Sequence, residues 1–162
     1  LEDVCRDLGP DDLALAQKAL FLGIAMQSHA GHCGSGDFLV RNLIGAMREE
    51  RALVVNTRIK DKAIVQFHIR DARAAWSELD DLMQKIAGRE RRPVGALMFS
   101  CLGRGQNLYG EAGHDTRVVS QYVGDISISG FFCNGEIGQV GGRTWIHGYT
   151  NSIAFFTPGT DA

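Results

Sequence analysis

Hydrophobic positions along the chain follow two periodicities, which predict helices and strands. After Asp71, a capping residue, apolar side chains recur every three or four positions across 75–86, and Gly88 then ends a long core-facing helix. A second helix is predicted over 114–123, and a short one over 10–18, where Pro10 and two aspartates begin it. The chain therefore has two main helices and one short N-terminal helix.

Between the helices lie apolar segments typical of strands. The segment 94–101 is almost continuously apolar, which predicts burial on both faces and a central place in a sheet. Short connectors favour antiparallel neighbours among the early strands, whereas the strand–helix–strand order over 93–133 predicts a parallel crossover. We predict an α+β fold, a mixed, largely antiparallel sheet with the two main helices packed on it. The predicted strands are 20–26, 38–44, 52–57, 63–69, 94–101, 126–133 and part of 144–156.

The composition of the chain limits the classes to which the protein can belong. The 162 residues suit a single domain, 1–162, with 1–18 as an N-terminal helix or linker. Lys and Arg number 17 and Asp and Glu 19, so the net charge of −2 does not favour nucleic acid or an anionic membrane. The longest apolar stretch, 19–26, is far shorter than the roughly 20 residues of a membrane-spanning helix. Four cysteines without a Cys-x-x-Cys pair indicate reduced thiols, hence a soluble cytoplasmic protein.

Candidate chemistry concentrates in the glycine-rich run 130–142, where five glycines surround two aromatics, a thiol, an amide and a carboxylate. Cys101 and Cys133 each end a predicted strand just before a glycine-bearing turn. A parallel crossover would bring both turns to one sheet edge, where ligands commonly bind. We therefore expect a site at this edge.

Arg104, between Gly103 and Gly105, has the fork geometry that binds carboxylates through paired hydrogen bonds. One interpretation is that it binds a ligand carboxylate while Glu136 faces a ligand ammonium group. The other is that Arg104 and Glu136 form a structural salt bridge. The sequence leaves both open.

The other candidate site residues also have structural interpretations. His147 is interpreted as a hydrogen-bonded structural imidazole rather than a general base, and Asp115 as a helix-start acid. The cluster of His29, His32 and Cys33 lacks a fourth zinc ligand, and no phosphate-binding loop occurs, so we predict no metal and no cofactor. The predicted ligand-binding residues all lie in or beside the glycine-bearing turns: Cys101, Gly103, Arg104, Gly105, Tyr109, Phe132, Cys133, Asn134, Gly135, Glu136 and His147.

Three segments, 99–105, 130–142 and 145–150, together resemble the FIST-C domain, the C-terminal half of the FIST sensory module. The similarity extends over 38–45 and 67–71, and so covers most of the chain. The resemblance implies small-molecule sensing, with amino acids among the suggested ligands, and an upstream FIST N-terminal half as a partner. It also implies a place in prokaryotic signalling proteins or, joined to an F-box, in ubiquitin-ligase adaptors. It brings no catalytic residue set.

Three functions remain in competition. The first is a non-enzymatic sensory domain that binds a small polar ligand, an amino acid or organic acid, for intracellular signal transduction. The alternative is a protein-interaction module of an F-box-type ubiquitin-ligase adaptor. The third is an enzyme with Cys101 or Cys133 as nucleophile and His147 as base. We expect the first, with a signalling or ubiquitin-ligase protein as a further partner.

Overall fold

A computed structural model describes residues 5–26, 33–34, 36–140 and 142–159. The chain forms two compact units, Leu1–Asp71 and Ala72–Ala162. Helices and largely antiparallel strands occur together in it, so the predicted α+β class is confirmed.

The described residues of the first unit include a short helix and a four-stranded antiparallel sheet. Helix α1, Pro10–Lys18, begins with proline, whose fixed φ suits a first helical turn, and carries Asp11 and Asp12 near the positive end of the helix dipole. The sheet has the order β3-β2-β1-β4. Its strands are β1 (Leu20–Ala25), β2 (Phe38–Met47), β3 (Ala52–Val55) and β4 (Val65–Ile69).

A histidine packs over a glycine at the centre of this sheet. A Cβ on Gly23 of β1 would lie 2.3 Å from Nε2 of His68 on β4, so only glycine leaves room for the ring. The imidazole also meets Phe38 edge-on, with 5.0 Å between ring centroids. Its Nε2 is buried and makes no hydrogen bond to a described residue. Burial lowers the pKa of His68, because the charged imidazolium loses water there.

Within the described residues of the second unit are a three-stranded sheet, a two-stranded hairpin and three helices. In the sheet order β6-β5-β9, β5 and β6 run parallel and β9 runs antiparallel to β5. The helices are α2 (Ala72–Ala87), α3 (Gln106–Tyr109) and α4 (His114–Val123). The strands are β5 (Gly95–Cys101), β6 (Ser127–Cys133), β7 (Glu136–Val140), β8 (Arg143–His147) and β9 (Asn151–Phe156), of which β7 and β8 form the hairpin.

Helices α2 and α4 cover one face of the three-stranded sheet. Met98 of β5 packs there in a buried cluster with Leu79 and Met83 of α2 and three valines of α4. The other face carries Leu97 and Phe131, which are 36% and 65% exposed. The prediction that β5 is central is confirmed, but the prediction that it is buried on both faces is wrong, because helices cover only one face.

The predicted helices over 10–18, 72–87 and 114–123 are confirmed, and so is the parallel crossover, which pairs Cys101 with Cys133. The sequence did not predict β7, because glycines disfavour strands. Gly138 nevertheless lies in β7. The ring of His147 on β8 lies beside it, so close that a Cβ at position 138 would be 3.2 Å from the ring. The segment predicted as part of one last strand, 144–156, forms two strands, β8 and β9.

Gly130 of β6 provides a stability test. Its φ is +154°, and a Cβ there would lie 1.8 Å from the carbonyl oxygen of Met98, a backbone atom that cannot rotate away. We expect Gly130→Ala to lower the free energy of unfolding by about 2–4 kcal/mol in urea titrations. Gly148→Ala is the control, since a Cβ there meets nothing within 4 Å, and its effect should stay within about 0.5 kcal/mol. Equal effects of the two substitutions would contradict the clash.

His68 should make the first unit sensitive to acid. Its folded pKa lies below the unfolded value of about 6.5, so the unfolded chain binds the proton more readily. Its contribution is therefore complete above that value and is lost as the pH falls from about 6.5 through the folded pKa. We expect the free energy of unfolding, measured by circular dichroism in urea, to fall more steeply with acid in the parent than in His68→Phe. Identical pH dependences would show that His68 does not couple to folding.

Candidate functional site

The centre of the second unit's polar chemistry is a buried ion pair. Arg104, in the loop after β5, and Asp115, in the first turn of α4, are each 6% exposed. Arg104 Nε donates to Asp115 Oδ2 at 2.7 Å and Nη2 donates to Oδ1 at 3.0 Å. This is the paired geometry in which a guanidinium binds a carboxylate most strongly. The pair fixes the loop against the helix.

Three further side chains complete this group, which we call the Arg104 cluster: Arg104, Tyr109, His114, Asp115 and Asn151. Arg104 Nη2 donates to the Tyr109 hydroxyl at 2.6 Å, and Asn151 Nδ2 donates to Asp115 Oδ2 at 2.8 Å. His114 Nδ1 lies 3.2 Å from Asp115 Oδ1 and donates to it in the Nδ1-protonated tautomer. Arg104 Nη1 also donates to the carbonyl of Tyr149 at 3.4 Å. The cluster thus joins α3, α4 and β9.

The local backbone explains how these groups meet. Gly105 adopts a φ of +57° immediately before α3, and that short helix carries Tyr109 back towards Arg104. Gly113, at a φ of +69°, turns the chain into α4 so that its first two residues are His114 and Asp115. The Tyr109 ring stacks on the His114 imidazole, with 3.6 Å between centroids. Glycine suits both turns because it has no Cβ penalty at positive φ.

The charges of the cluster hold each other in their ionised forms. Burial alone would raise the pKa of Asp115, but the hydrogen bonds and charge of Arg104 outweigh it, and the pKa is lowered. Burial likewise opposes the charge on Arg104, yet Asp115 raises the pKa of the guanidinium above its usual value. Burial, opposed by Arg104 and reinforced by Asp115, raises the pKa of Tyr109 to about 12. At neutral pH the cluster is therefore a charged pair with a neutral phenol.

A second polar group, the Glu136 cluster, contains Glu136, Cys133 and Thr150. Glu136, at the start of β7, is 1% exposed. Its Oε2 accepts from Thr150 Oγ1 at 3.0 Å and from the Thr150 backbone N–H at 3.3 Å, and its Oε1 accepts from Cys133 Sγ at 3.4 Å. Burial and the hydrogen bond to Glu136 both raise the pKa of the Cys133 thiol. The thiol is thus held in its neutral form.

The second interpretation of Arg104, a structural salt bridge to Glu136, is wrong. The partner of Arg104 is Asp115, whose place in the sequence indicates only a helix-start acid. The paired hydrogen bonds that we expected Arg104 to offer a ligand carboxylate are made to Asp115. The described contacts use four of the five N–H donors of the guanidinium, which leaves one N–H on Nη1.

The predicted site residues fall into these two clusters and the turns between them. Arg104 and Tyr109 meet in one cluster, and Cys133 and Glu136 meet in the other. Cys101 is buried beside Cys133 on the neighbouring strand, and His147 pairs with Glu136 across the hairpin. His147 Nε2 lies 3.4 Å from the carbonyl of Gly138. The others lie in or beside the turns that follow β5 and β6: Gly103, Gly105, Phe132, Asn134 and Gly135.

Four contacting residues were absent from the predicted set: His114, Asp115, Thr150 and Asn151. Asp115 is 11 residues from Arg104 and Asn151 is 36 residues from Asp115, so no local pattern links them. The one available signal was the polar Thr150–Asn151 pair directly before an apolar strand. His29 and His32 of the zinc hypothesis lie outside the described residues.

Neither metal ligands nor a membrane span emerge from the part of the chain that the structure describes. Its His, Cys, Asp and Glu side chains form no group of three or more suited to a metal ion. None of its helices combines the length and apolar character needed to cross a membrane.

The fold and the two buried clusters define an α+β protein with a polar site at one sheet edge. The chain matches the FIST C domain over residues 1–139 and belongs to that family. Uncharacterized proteins of Mycobacterium bovis and Mycobacterium tuberculosis are each 37% identical over 157 residues, 96% of this chain and 41% of the relative. The chain thus spans about two fifths of the length of the curated relatives it matches.

The buried ion pair should show strong energetic coupling. Removing one partner of such a pair leaves an uncompensated charge, so we expect Arg104→Met or Asp115→Asn alone to cost about 3–5 kcal/mol of unfolding free energy. The double variant should cost clearly less than the sum, by about 1–3 kcal/mol. Urea titration of the four proteins measures this coupling.

The chain supplies a matched control in the exposed pair Arg117 and Glu111, whose side chains are 52% and 53% exposed. The cycle of Arg117→Met and Glu111→Gln should give a coupling below about 1 kcal/mol. Equal coupling energies in the two ion pairs would contradict the expectation that burial strengthens the coupling between Arg104 and Asp115.

Proposed function

We propose that the chain is a non-enzymatic sensory domain that binds a small polar ligand, an amino acid or organic acid, for intracellular signal transduction in the cytoplasm. The observation that carries this proposal is the Arg104 cluster, a buried and highly polar group at the edge where β5 and β6 end and β9 begins. Carboxyl ends of parallel strands are common ligand-binding positions. Membership of the FIST C domain family supports the sensory role.

Ligand recognition in this proposal uses donors and acceptors that the ion pair leaves unused, since the paired groups of Arg104 and Asp115 bind each other. The remaining Nη1–H of Arg104 is one donor for a ligand oxygen. Gly103 and Gly105 flank Arg104 and lack side chains that would keep a ligand from the backbone. Phe132 lies close to Gly105, where a Cβ would meet its ring at 3.2 Å, and supplies an apolar wall.

The chemistry of the thiols supports binding rather than catalysis. A nucleophilic cysteine needs a thiolate, which positive neighbours favour. The single S–H of Cys133 instead has two acceptors nearby, Glu136 Oε1 at 3.4 Å and the carbonyl oxygen of Ser100 at 3.5 Å from the sulfur, and the pKa of the thiol is raised. No described hydrogen bond joins Cys133 to His147, the base considered from the sequence.

A sensor also needs two states with different affinity for the ligand. The turn between β8 and β9 is suited to relay such a difference, because Tyr149 adopts a φ of +62° and offers its carbonyl to Arg104. The next two residues, Thr150 and Asn151, contact Glu136 and Asp115 respectively. A ligand at the Arg104 cluster would therefore act on both clusters through one turn.

The exposed sheet face favours a second candidate, a protein-interaction module. Leu97, Phe131 and Phe156 lie on the face of the β6-β5-β9 sheet opposite the helices, and the two phenylalanines are more than half exposed. Large apolar side chains grouped on one face commonly mark a protein contact. The partner we propose for this face is a FIST N-terminal half, since the relatives extend well beyond the matched region.

A thermal-shift screen against amino acids and small organic acids tests the sensory proposal. A ligand that binds only the folded chain, at 100 times its Kd, stabilises it by about 2.7 kcal/mol, or about 5–10 °C in Tm. We expect at least one such compound to raise the Tm of the parent, and the shift to disappear in Arg104→Lys, which keeps the charge but loses the fork.

Arg117→Lys is the control for the same exchange at an exposed position, and it should retain the full shift. Circular dichroism of each variant checks that it is folded. A screen without any stabilising compound would contradict the small-ligand proposal and favour the protein-interaction module.

A further inference from the structure

The carboxylate of Asp115 is saturated with hydrogen bonds. Its Oδ1 accepts from Arg104 Nη2 and His114 Nδ1, and its Oδ2 accepts from Arg104 Nε and Asn151 Nδ2. Two carboxylate oxygens offer about four acceptor positions, all of which are used. Asp115 therefore has no capacity left for a ligand, and recognition must use another atom of the Arg104 cluster.

Asn151 Oδ1 is such an atom. It is buried and accepts no hydrogen bond from any described residue. Its orientation is fixed, because the Nδ2 half of the amide faces Asp115 at 2.8 Å and rotating the amide would put two oxygens against each other. Buried side-chain acceptors are nearly always satisfied in folded proteins. Asn151 Oδ1 thus requires a donor from outside the described side chains.

The charges around Asn151 select the kind of donor. Arg104 is the cation of the cluster and its charge is already balanced by Asp115. A ligand ammonium group at Asn151 would place a second cation near the guanidinium without a free carboxylate to balance it. An uncharged N–H donor meets no such repulsion. The electrostatics of the cluster therefore oppose an amine and favour a neutral amide.

We propose that Asn151 Oδ1 is a ligand contact specific for an uncharged polar group, a primary carboxamide. The amide N–H would donate to Asn151 Oδ1, and the amide oxygen is the acceptor that the remaining Nη1–H of Arg104 needs. The acceptor Asn151 Oδ1 and the donor Nη1–H of Arg104 therefore correspond to the N–H donor and the oxygen acceptor of a carboxamide. This inference rests on the proposed sensory function and assigns the chemical class of the ligand group that its site binds.

Matched probes separate amide from acid at nearly constant size. Isothermal titration calorimetry of the 162-residue chain with glutamine and glutamate, and with asparagine and aspartate, measures the preference directly. We expect an amide to bind at least tenfold more tightly than its acid. Asn151→Ser keeps a hydroxyl donor near Asp115 but withdraws the amide oxygen, and should reduce amide binding at least tenfold. Asn56→Ser, the same exchange in the first unit, should bind as the parent does.

Each other outcome overturns the inference. Equal binding of amide and acid, no binding of either amide, or unchanged amide binding in folded Asn151→Ser would each refute the carboxamide contact. These failures are distinguishable from failure of the sensory proposal, since compounds that stabilise the chain in the thermal-shift screen without dependence on Asn151 would leave that proposal standing.

Discussion

The second unit depends on one constraint: the opposite charges of Arg104 and Asp115 are buried together and must remain paired. A buried charge without its partner costs far more than an ordinary lost contact. The loop after β5 and the start of α4 are therefore fixed as a pair, and Tyr109 and Asn151 attach α3 and β9 to it. The pair also explains why Arg104 cannot offer a ligand the bidentate fork that its flanking glycines suggested.

The two buried clusters surround a buried acidic side chain with different kinds of hydrogen-bond donor. Asp115 is balanced by a guanidinium, whereas Glu136 is surrounded by neutral donors from Thr150 and Cys133. Thr150 of the β8–β9 turn contacts Glu136, and Asn151, the first residue of β9, contacts Asp115, so two adjacent residues join the two clusters. Tyr149, at a positive φ that non-glycine residues rarely adopt, lies at the start of this link. In the proposed sensory function, this link would couple the two states of the protein.

Local periodicity was sufficient to predict the helices and most strands, because each is specified by an apolar face of its own sequence. The crossover followed from element order, which correctly placed Cys101 beside Cys133. Strand β7 was not predicted because glycine has a low strand propensity. The His147 ring lies beside Gly138 on the neighbouring strand, and strand propensity takes no account of such a contact. The partner of Arg104 was missed for a related reason: several acids lay at feasible distances in sequence, and only the packing of α4 selects Asp115.

The contacts of Cys133 and Arg104 bear on the proposal that the site binds a ligand through hydrogen bonds. A catalytic thiol would need a lowered pKa, yet Cys133 is held neutral by burial and a carboxylate. A general recogniser of carboxylates would need a free guanidinium fork, yet Asp115 occupies it. The described hydrogen bonds leave one buried acceptor on Asn151 and one N–H donor on Arg104 unused, both beside charges that already neutralise each other. The carboxamide that we propose at this point would complete the cluster without adding a buried charge, whereas a carboxylate or an ammonium group would add one.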